Sequence, residues 1–397
     1  MTEAEHIPEE IVANILRRLP PKSLIRCTAV SKSWRDLILT PSFISLHLRH
    51  SPPLLLLQLC NERSHPSPSP CAVRYSLRHD DPFLSDSGYT LILPPTALYR
   101  EFSVVGLCHG LVCITAGHHC HSLVICNPSL RRYVSLPRPR HYRSLYTATV
   151  AFAFDPLHQD YKVVRLSCMV DDERYGFSAP TVEVYSLATG FWRTLSGSTP
   201  VCSLACVGKD APHGFVNKIV HWGAQRREGD YGWYHFVLSF DVVHEVFGEV
   251  LLPESLAYAP EDSVTVIGGR EELSVFSVGG EFPSCCEIWV MKEYGVVESW
   301  NKVFSFTLRG FSLEVPAWGI SVANVTSPPV ALCIRKSGEV LLLMDETGKG
   351  NLYSLDIERK RFTELGIGGE GYTWYLYSGY YAESLVLLNN VSGLVSY

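Results

Sequence analysis

The sequence predicts a mainly β protein: a small all-α head over residues 1–50, then a β-propeller of about six blades over residues 54–397. Three observations carry that expectation. Apolar residues recur at helical spacing up to about residue 48, and alternate with polar ones after Ser51-Pro52-Pro53. One hairpin pattern then returns several times along the chain. A chain of 397 residues also exceeds what one ordinary hydrophobic core organises, unless the architecture repeats. A large β-sandwich is the alternative; it accommodates the strands but leaves the period unexplained.

The head is read first. Pro8 suits the first turn of a helix, Glu9 and Glu10 sit near its positive end, and Arg17 and Arg18 near its negative end. Between them Ile11, Val12, Ile15, Leu16 and Leu19 fall on one stripe. Pro20-Pro21 stops that helix, and Pro21 can open a second one carrying Leu24 and Ile25. Ser31 is placed to N-cap a third helix with Trp34, Leu37 and Ile38 on its inner face. Thr40-Pro41 ends that helix, and Phe43, Ile44 and Leu46 add one or two further turns. So small a module buries only part of its apolar stripe by itself, so the rest of the chain or a partner should cover the excess.

The β region shows a repeated unit. A hydrophobic strand, an Asn, Asp or Ser turn, an aromatic and an aliphatic strand follow one another at 124–136, 182–195, 237–253, 288–300 and 351–365, with a degenerate copy at 73–94. Their turn anchors, Asn127, Ser186, Asp241, Lys292 and Asp356, lie about fifty to sixty-five residues apart. Before each copy comes a short strand pair holding Gly or Asn, such as GLCHGLVCI at 106–114. Four strands per unit of about fifty residues is a propeller period, because a single blade is too thin to bury its own faces. Glu383–Leu388 is the expected ring-closing strand.

Both regions resemble a known family. Ile7-Pro8-Glu9-Glu10-Ile11, Ile15-Leu16 with Leu19-Pro20, Lys22-Ser23-Leu24, Val30-Ser31-Lys32-Ser33-Trp34 and Leu37-Ile38 are similar to the F-box in order and spacing. Ile7 stands where Leu is usual, a volume-conserving change. GLCHGLVCI, ICNPSLRRYVSLP, AFAFDPLHQDYKVVRL, VEVYSLATGFWRTL and the His221-Trp222 pair resemble the F-box-associated, kelch-like domain of plant F-box proteins. The repeats depart from true kelch, which carries paired glycines. The resemblance implies docking to the Skp-type adaptor of a Skp–cullin–F-box (SCF) ubiquitin ligase, and through it to a cullin. It assigns that contact to Ile7, Pro8, Ile11, Ile15, Leu16, Leu19, Pro20, Leu24, Val30 and Trp34, each of which would otherwise be a plain core residue. The β domain would then recruit a protein target for ubiquitination.

Composition limits the rest. Charged residues are 19% and apolar ones 46%, as in folded chains, and a net charge of -6 gives no global reason to expect nucleic acid or a membrane surface. The thirteen cysteines form no C-x-x-C pair, and residues 1–10 are acidic and polar, so a cytoplasmic or nuclear protein without a signal peptide is expected. Catalytic motifs are lacking, and no cofactor or metal is expected. Gly366-x-Gly368-x-x-Gly371 runs into a β pattern where a phosphate loop needs a helix, and so reads as a turn. His118-His119-Cys120-His121, near Cys108, His109 and Cys113, has zinc-ligand types, but adjacent residues alternate faces on a strand; it reads as a polar hairpin tip. Asp80-Asp81 and Asp171-Asp172 read as solvated loop carboxylates.

One charge cluster remains. No Asp or Glu occurs between Glu101 and Asp155, while Arg131, Arg132, Arg138, Arg140 and Arg143 gather around Pro137 and Pro139. Such an arc suits an acidic target surface, against the plainer reading of a solvated loop. A non-ligase binding propeller of lectin-like type is the competing function, for which Trp222, Trp233, Tyr234 and Trp374 would be the aromatic platforms. A propeller hydrolase is the third.

Overall fold

The computed structural model describes residues 8–62, 72–94, 102–116, 120, 122–141, 146–169, 179–195, 202–204, 214–228, 232–260, 263–269, 271–279, 284–309, 312–314, 328–346, 349–367, 372–386 and 394–396. Helices α1 (Glu9–Leu16), α2 (Pro21–Cys27), α3 (Lys32–Ile38) and α4 (Pro41–His50) form the head. Prolines sit at the first position of α2 and α4, where the missing N–H costs nothing. Ser31 caps α3 by accepting from the Trp34 amide, and Thr40 caps α4 by accepting from the Phe43 amide. The fourth helix, at ten residues, exceeds the turn or two expected.

The strands then build six sheets. Strands β1 (Leu54–Glu62) and β2 (Ala72–Arg78) come first but belong to the last blade. Blade one holds β3 (Phe102–Cys108), β4 (Leu111–Ala116), β5 (Ser122–Asn127) and β6 (Arg132–Ser135). Blade two holds β7 (Tyr146–Asp155), β8 (Asp160–Met169), β9 (Thr181–Ser186) and β10 (Phe191–Thr194). Blade three holds β11 (Ser203–Leu204), β12 (Gly214–Val216), β13 (Ile219–Arg227), β14 (Trp233–Asp241) and β15 (Val246–Leu251), followed by the short helix α5 (Glu254–Ala257). Blade four runs from β16 (Val264–Ile267) through β17 (Ser274–Gly279), β18 (Ser284–Met291) and β19 (Trp300–Arg309) to β20 (Ser312–Glu314). Blade five holds β21 (Val330–Ile334), β22 (Val340–Glu346), β23 (Lys349–Asp356) and β24 (Arg361–Glu364). The sixth is completed by β25 (Tyr372–Tyr381), which pairs antiparallel with β1, while β26 (Leu394–Ser396) adds to the edge of β6.

The packing decides between propeller and sandwich. Six separate apolar layers lie one between each adjacent pair of blades, the last two being blades five and six and then six and one. A sandwich would have a single core between two sheets. The ring is therefore a closed six-bladed propeller.

The unbroken run at Leu54–Leu57 follows from this geometry. Leu55 and Leu57 pack toward blade five, and Leu54 and Leu56 toward blade one, so β1 is apolar on both faces. Gln58, on the same strand, is fully buried and satisfied: its amide donates to the Phe102 carbonyl at 3.0 Å and accepts from the Val104 amide at 2.7 Å.

Two readings are corrected. The closing strand is β25, and Ala382–Val386 is instead a strap without strand pairing. Asp80 is no solvated loop carboxylate. It receives Arg335 at 2.8 Å and the Tyr380 hydroxyl at 2.5 Å, and Arg335 is 1% exposed. The contact joins blade five to the sixth across the closure. Asp171 and Asp172 lie outside the described residues.

Candidate functional site

On α1 the apolar stripe divides between two destinations. Leu16 is buried with Leu24, Ile38 and Phe43, and Val12, Leu19, Trp34 and Leu37 pack around them. Ile11 and Ile15, four residues apart and hence on one face, point outward and are 50% and 56% exposed. Val30 is 65% exposed, and Pro8 and Pro20 are exposed as well. Leu16 and Leu24 are thus head core and cannot themselves form a docking contact without the head opening. Leu19 and Trp34 are half-buried, and Ile7 lies outside the described residues. Leu39 and Leu46 extend the exposed apolar surface; Leu39 was not singled out in the sequence because it sits at a helix end outside the periodic stripe.

A fifth member of the head core comes from the far end of the chain. Leu385, 1% exposed, packs among Leu16, Leu24, Ile38 and Phe43. The strap carrying it lies on blade one: Asn127 Nδ2 donates to the Ser384 and Val386 carbonyls at 3.1 and 2.9 Å. Ser129 Oγ accepts from the Ser384 amide and shares a hydrogen bond with the Tyr381 hydroxyl at 2.8 Å. Gly110 makes room for the strap, since a Cβ there would collide with Ser384 and the Ala382 carbonyl, and its φ is +75°. In the sequence the strap's apolar residues have the pattern of a strand, which hides this anchor.

The strap sits against the β3–β4 and β5–β6 turns, so the head stands over that side of the ring. Because strands alternate in direction, the connections that follow β4 and β6 leave from the opposite side. Three of their residues, Cys120, Arg140 and His141, are held by a buried ion pair on blade two. Arg165 and Glu183, both fully buried, meet at 2.9 Å. Arg165 also donates to the Cys120 and His141 carbonyls, and Glu183 accepts from the Arg140 and His141 amides.

The arginine arc is not one surface. Arg131 and Arg132 lie at the β5–β6 turn beside the head, whereas Arg138 and Arg140 lie beyond the other end of β6. At about 3.4 Å per residue, the strand between them separates the two groups by well over 10 Å. Arg143 lies outside the described residues, as do His118, His119 and His121. Cys120 is buried against the Ala148 carbonyl. Gly366 has φ +61° in the connection between β24 and β25; Gly368 and Gly371 lie outside the described residues. Of the aromatic candidates, Trp222 is core between blades two and three, and Tyr234 stacks under Arg226 at 5.0 Å. The Trp374 side chain lies outside the described ones.

A four-helix head with an outward aliphatic ridge, anchored on one side of a closed ring, makes a chain of two modules. The F-box domain model matches residues 5–46 and the F-box associated beta propeller domain model residues 69–388, so the chain belongs to the F-box proteins that carry this propeller. Similar Arabidopsis thaliana proteins include F-box protein At3g07870, 25% identical over 366 residues, covering 85% of this chain and 82% of the relative. F-box protein CPR1 is 28% identical, with coverage of 91% and 84%, and F-box/kelch-repeat protein At3g23880 is 27% identical, with 77% and 80%. Among solved structures, an Aleuria aurantia lectin mutant aligns with a TM-score of 0.42 and 10% identity, over 75% of this chain and 86% of the lectin, which says nothing of what this chain binds. Neither matched domain belongs to an enzyme family.

Proposed function

We propose that the chain is the substrate-recognition subunit of an SCF ubiquitin ligase. The observation that supports this most is the ridge of Ile11, Ile15 and Val30, left exposed on a head whose core is already filled by Leu16, Leu24, Ile38, Phe43 and Leu385. An aliphatic ridge of this kind on an F-box suits a groove of the Skp-family adaptor, which would link the chain to a cullin. The propeller side away from the head then holds the target, with Arg138 and Arg140 offering an acidic protein two cations. Other subunits carry the ubiquitin-transfer chemistry. We further propose a cytoplasmic or nuclear location, which imaging of a fluorescently tagged chain tests.

The decisive experiment is affinity purification of the full chain from plant cells, scoring adaptor and cullin. Ile11→Asp with Ile15→Asp should abolish co-purification, because a carboxylate desolvated in an apolar groove costs several kcal/mol. Both side chains are exposed, so thermal stability should stay near the parent's. Full adaptor recovery by the folded double variant would overturn this docking face, and an absent adaptor with the parent chain would favour a non-ligase binding propeller.

A further inference from the structure

We infer that the cleft between the head and blade one is a binding site for a compact anion carrying several phosphates. The cleft measures about 470 Å³, within the range of small-ligand sites. Lys22 and Arg26 of α2 form one wall, and Arg131 and Arg132 of the β5–β6 turn form the other, with Ile25 and Leu130 beside them. Four cations therefore face one space on a chain whose net charge is -6. Among the described residues Lys22, Arg26 and Arg131 form no ion pair. Glu383 on the strap interacts with Lys22, and Arg132 has interactions of its own, so the anion site is carried chiefly by Lys22, Arg26 and Arg131.

The walls are fixed before any ligand arrives. Ser129, also lining the cleft, is bonded to Tyr381 and Ser384, and Asn127 holds the strap that enters the head core. Arg131 itself has φ +54°, a left-handed backbone that a bulky residue adopts at a cost, and the turn holds it there. Like charges collected on rigid walls repel one another, and an anion of matching charge relieves that repulsion. Guanidinium groups bind phosphate oxygens in a two-pronged fashion, and an ammonium adds a point charge. An extended acidic peptide fits less well. The nearest sheet edge, β6, is already paired with β26, so among the described residues no strand edge is open beside the cleft for a peptide backbone to join.

The test is calorimetric titration of the full chain, at near-physiological salt, with inorganic tripolyphosphate, ATP and monophosphate. Tripolyphosphate should bind in the micromolar range or tighter, weaken as salt rises, and exceed monophosphate at least tenfold. Lys22→Ala with Arg26→Ala, and separately Arg131→Ala, should each lower affinity at least tenfold, while Arg138→Ala with Arg140→Ala leaves it unchanged. These side chains are on the surface, so folding is expected to persist, and a thermal melt of each variant checks it. Equal affinity for ATP and tripolyphosphate identifies the phosphate chain as the recognised group; tighter ATP binding identifies a nucleotide. Undetectable binding, or equal weak binding by the parent and both cleft variants, overturns the site. Binding is read directly on this chain, so the result stands apart from whether the ligase assignment holds.

Discussion

Adjacent residues on α1 have opposite fates, and a pair of substitutions separates them. Ile15 lies outside and Leu16 inside the head core, so Ile15→Asp should leave the head folded, whereas Leu16→Asp puts an unpaired carboxylate among Leu24, Ile38, Phe43 and Leu385. We expect Leu16→Asp to unfold the head outright, read as loss of amide-exchange protection over residues 8–50; retained protection would contradict this core. The helical period in the sequence reveals that Ile11, Val12, Ile15, Leu16 and Leu19 share an apolar stripe. It does not say which of them the fold consumes, because one of the consuming residues, Leu385, is far away in sequence. His221 supplies a pH-dependent test at the same scale. It is fully buried, its Nε2 lies 2.7 Å from the Tyr294 hydroxyl, and burial pulls its pKa down to about 4. In the unfolded chain the imidazole titrates near its ordinary value of about 6.5. Between those values a falling pH adds a proton only to the unfolded state, so stability should drop, with a slope from this group of at most about 1.4 kcal/mol per pH unit. Denaturant unfolding at pH 7, 6 and 5 should show a shallower decline in His221→Gln than in the parent. Parallel declines would mean that another group carries the effect.

At the scale of elements, the turn anchors chosen from the sequence work by one mechanism. Asn127, Ser186, Asp241 and Asp356 each accept, through a side-chain oxygen, a backbone amide two or three residues on. Four residues after each anchor the chain turns left-handed, at Arg131, Gly190, Glu245 and Lys360. Asp155 and Gln159 repeat the device within blade two. Lys292 is the exception, where Ser299 Oγ accepts from the Glu293 amide in a longer turn. The hairpins were legible because this chemistry needs particular residue types. The strap was not, because its residues are apolar for a different reason than a strand's. Leu385 fills the head, while the Ser384 and Val386 carbonyls accept from Asn127, the Ser384 amide donates to Ser129, and Val386 packs against the layer between blades one and two. Leu385→Ala should therefore destabilise the head by about 2–5 kcal/mol, the range for opening a cavity in a packed core. Hydrogen exchange should quicken in α1–α4 and remain unchanged in blades three to five. An equal effect in all blades would show that Leu385 supports the ring and not the head.

The whole molecule depends on where the ring is closed, and two truncations distinguish closure from head anchoring. Strand β25 pairs with β1, so the last strand long enough to span a blade completes a blade begun just after the head. Asp80, bonded to Arg335 and Tyr380, ties the same junction to blade five. Removing residues 382–397 takes away the strap and β26 but leaves every β1–β25 pair in place, Leu54 with Tyr381 included. The ring should stay closed, the head should lose its anchor, and the main thermal transition should shift only modestly. Removing residues 372–397 is different in kind. It strips β1 of one partner along its length, and takes Tyr377, Tyr380 and Tyr381 from the layers on either side of the sixth blade. Blades five and one then lose the strand between them, and β1, apolar on both faces, becomes an open edge that invites pairing with another chain. The expected outcome is a broad, low-temperature transition with soluble oligomers by size-exclusion chromatography coupled to light scattering. A 372–397 deletion that remained monomeric with the parent's sharp melt would mean that the six layers hold the ring without β25.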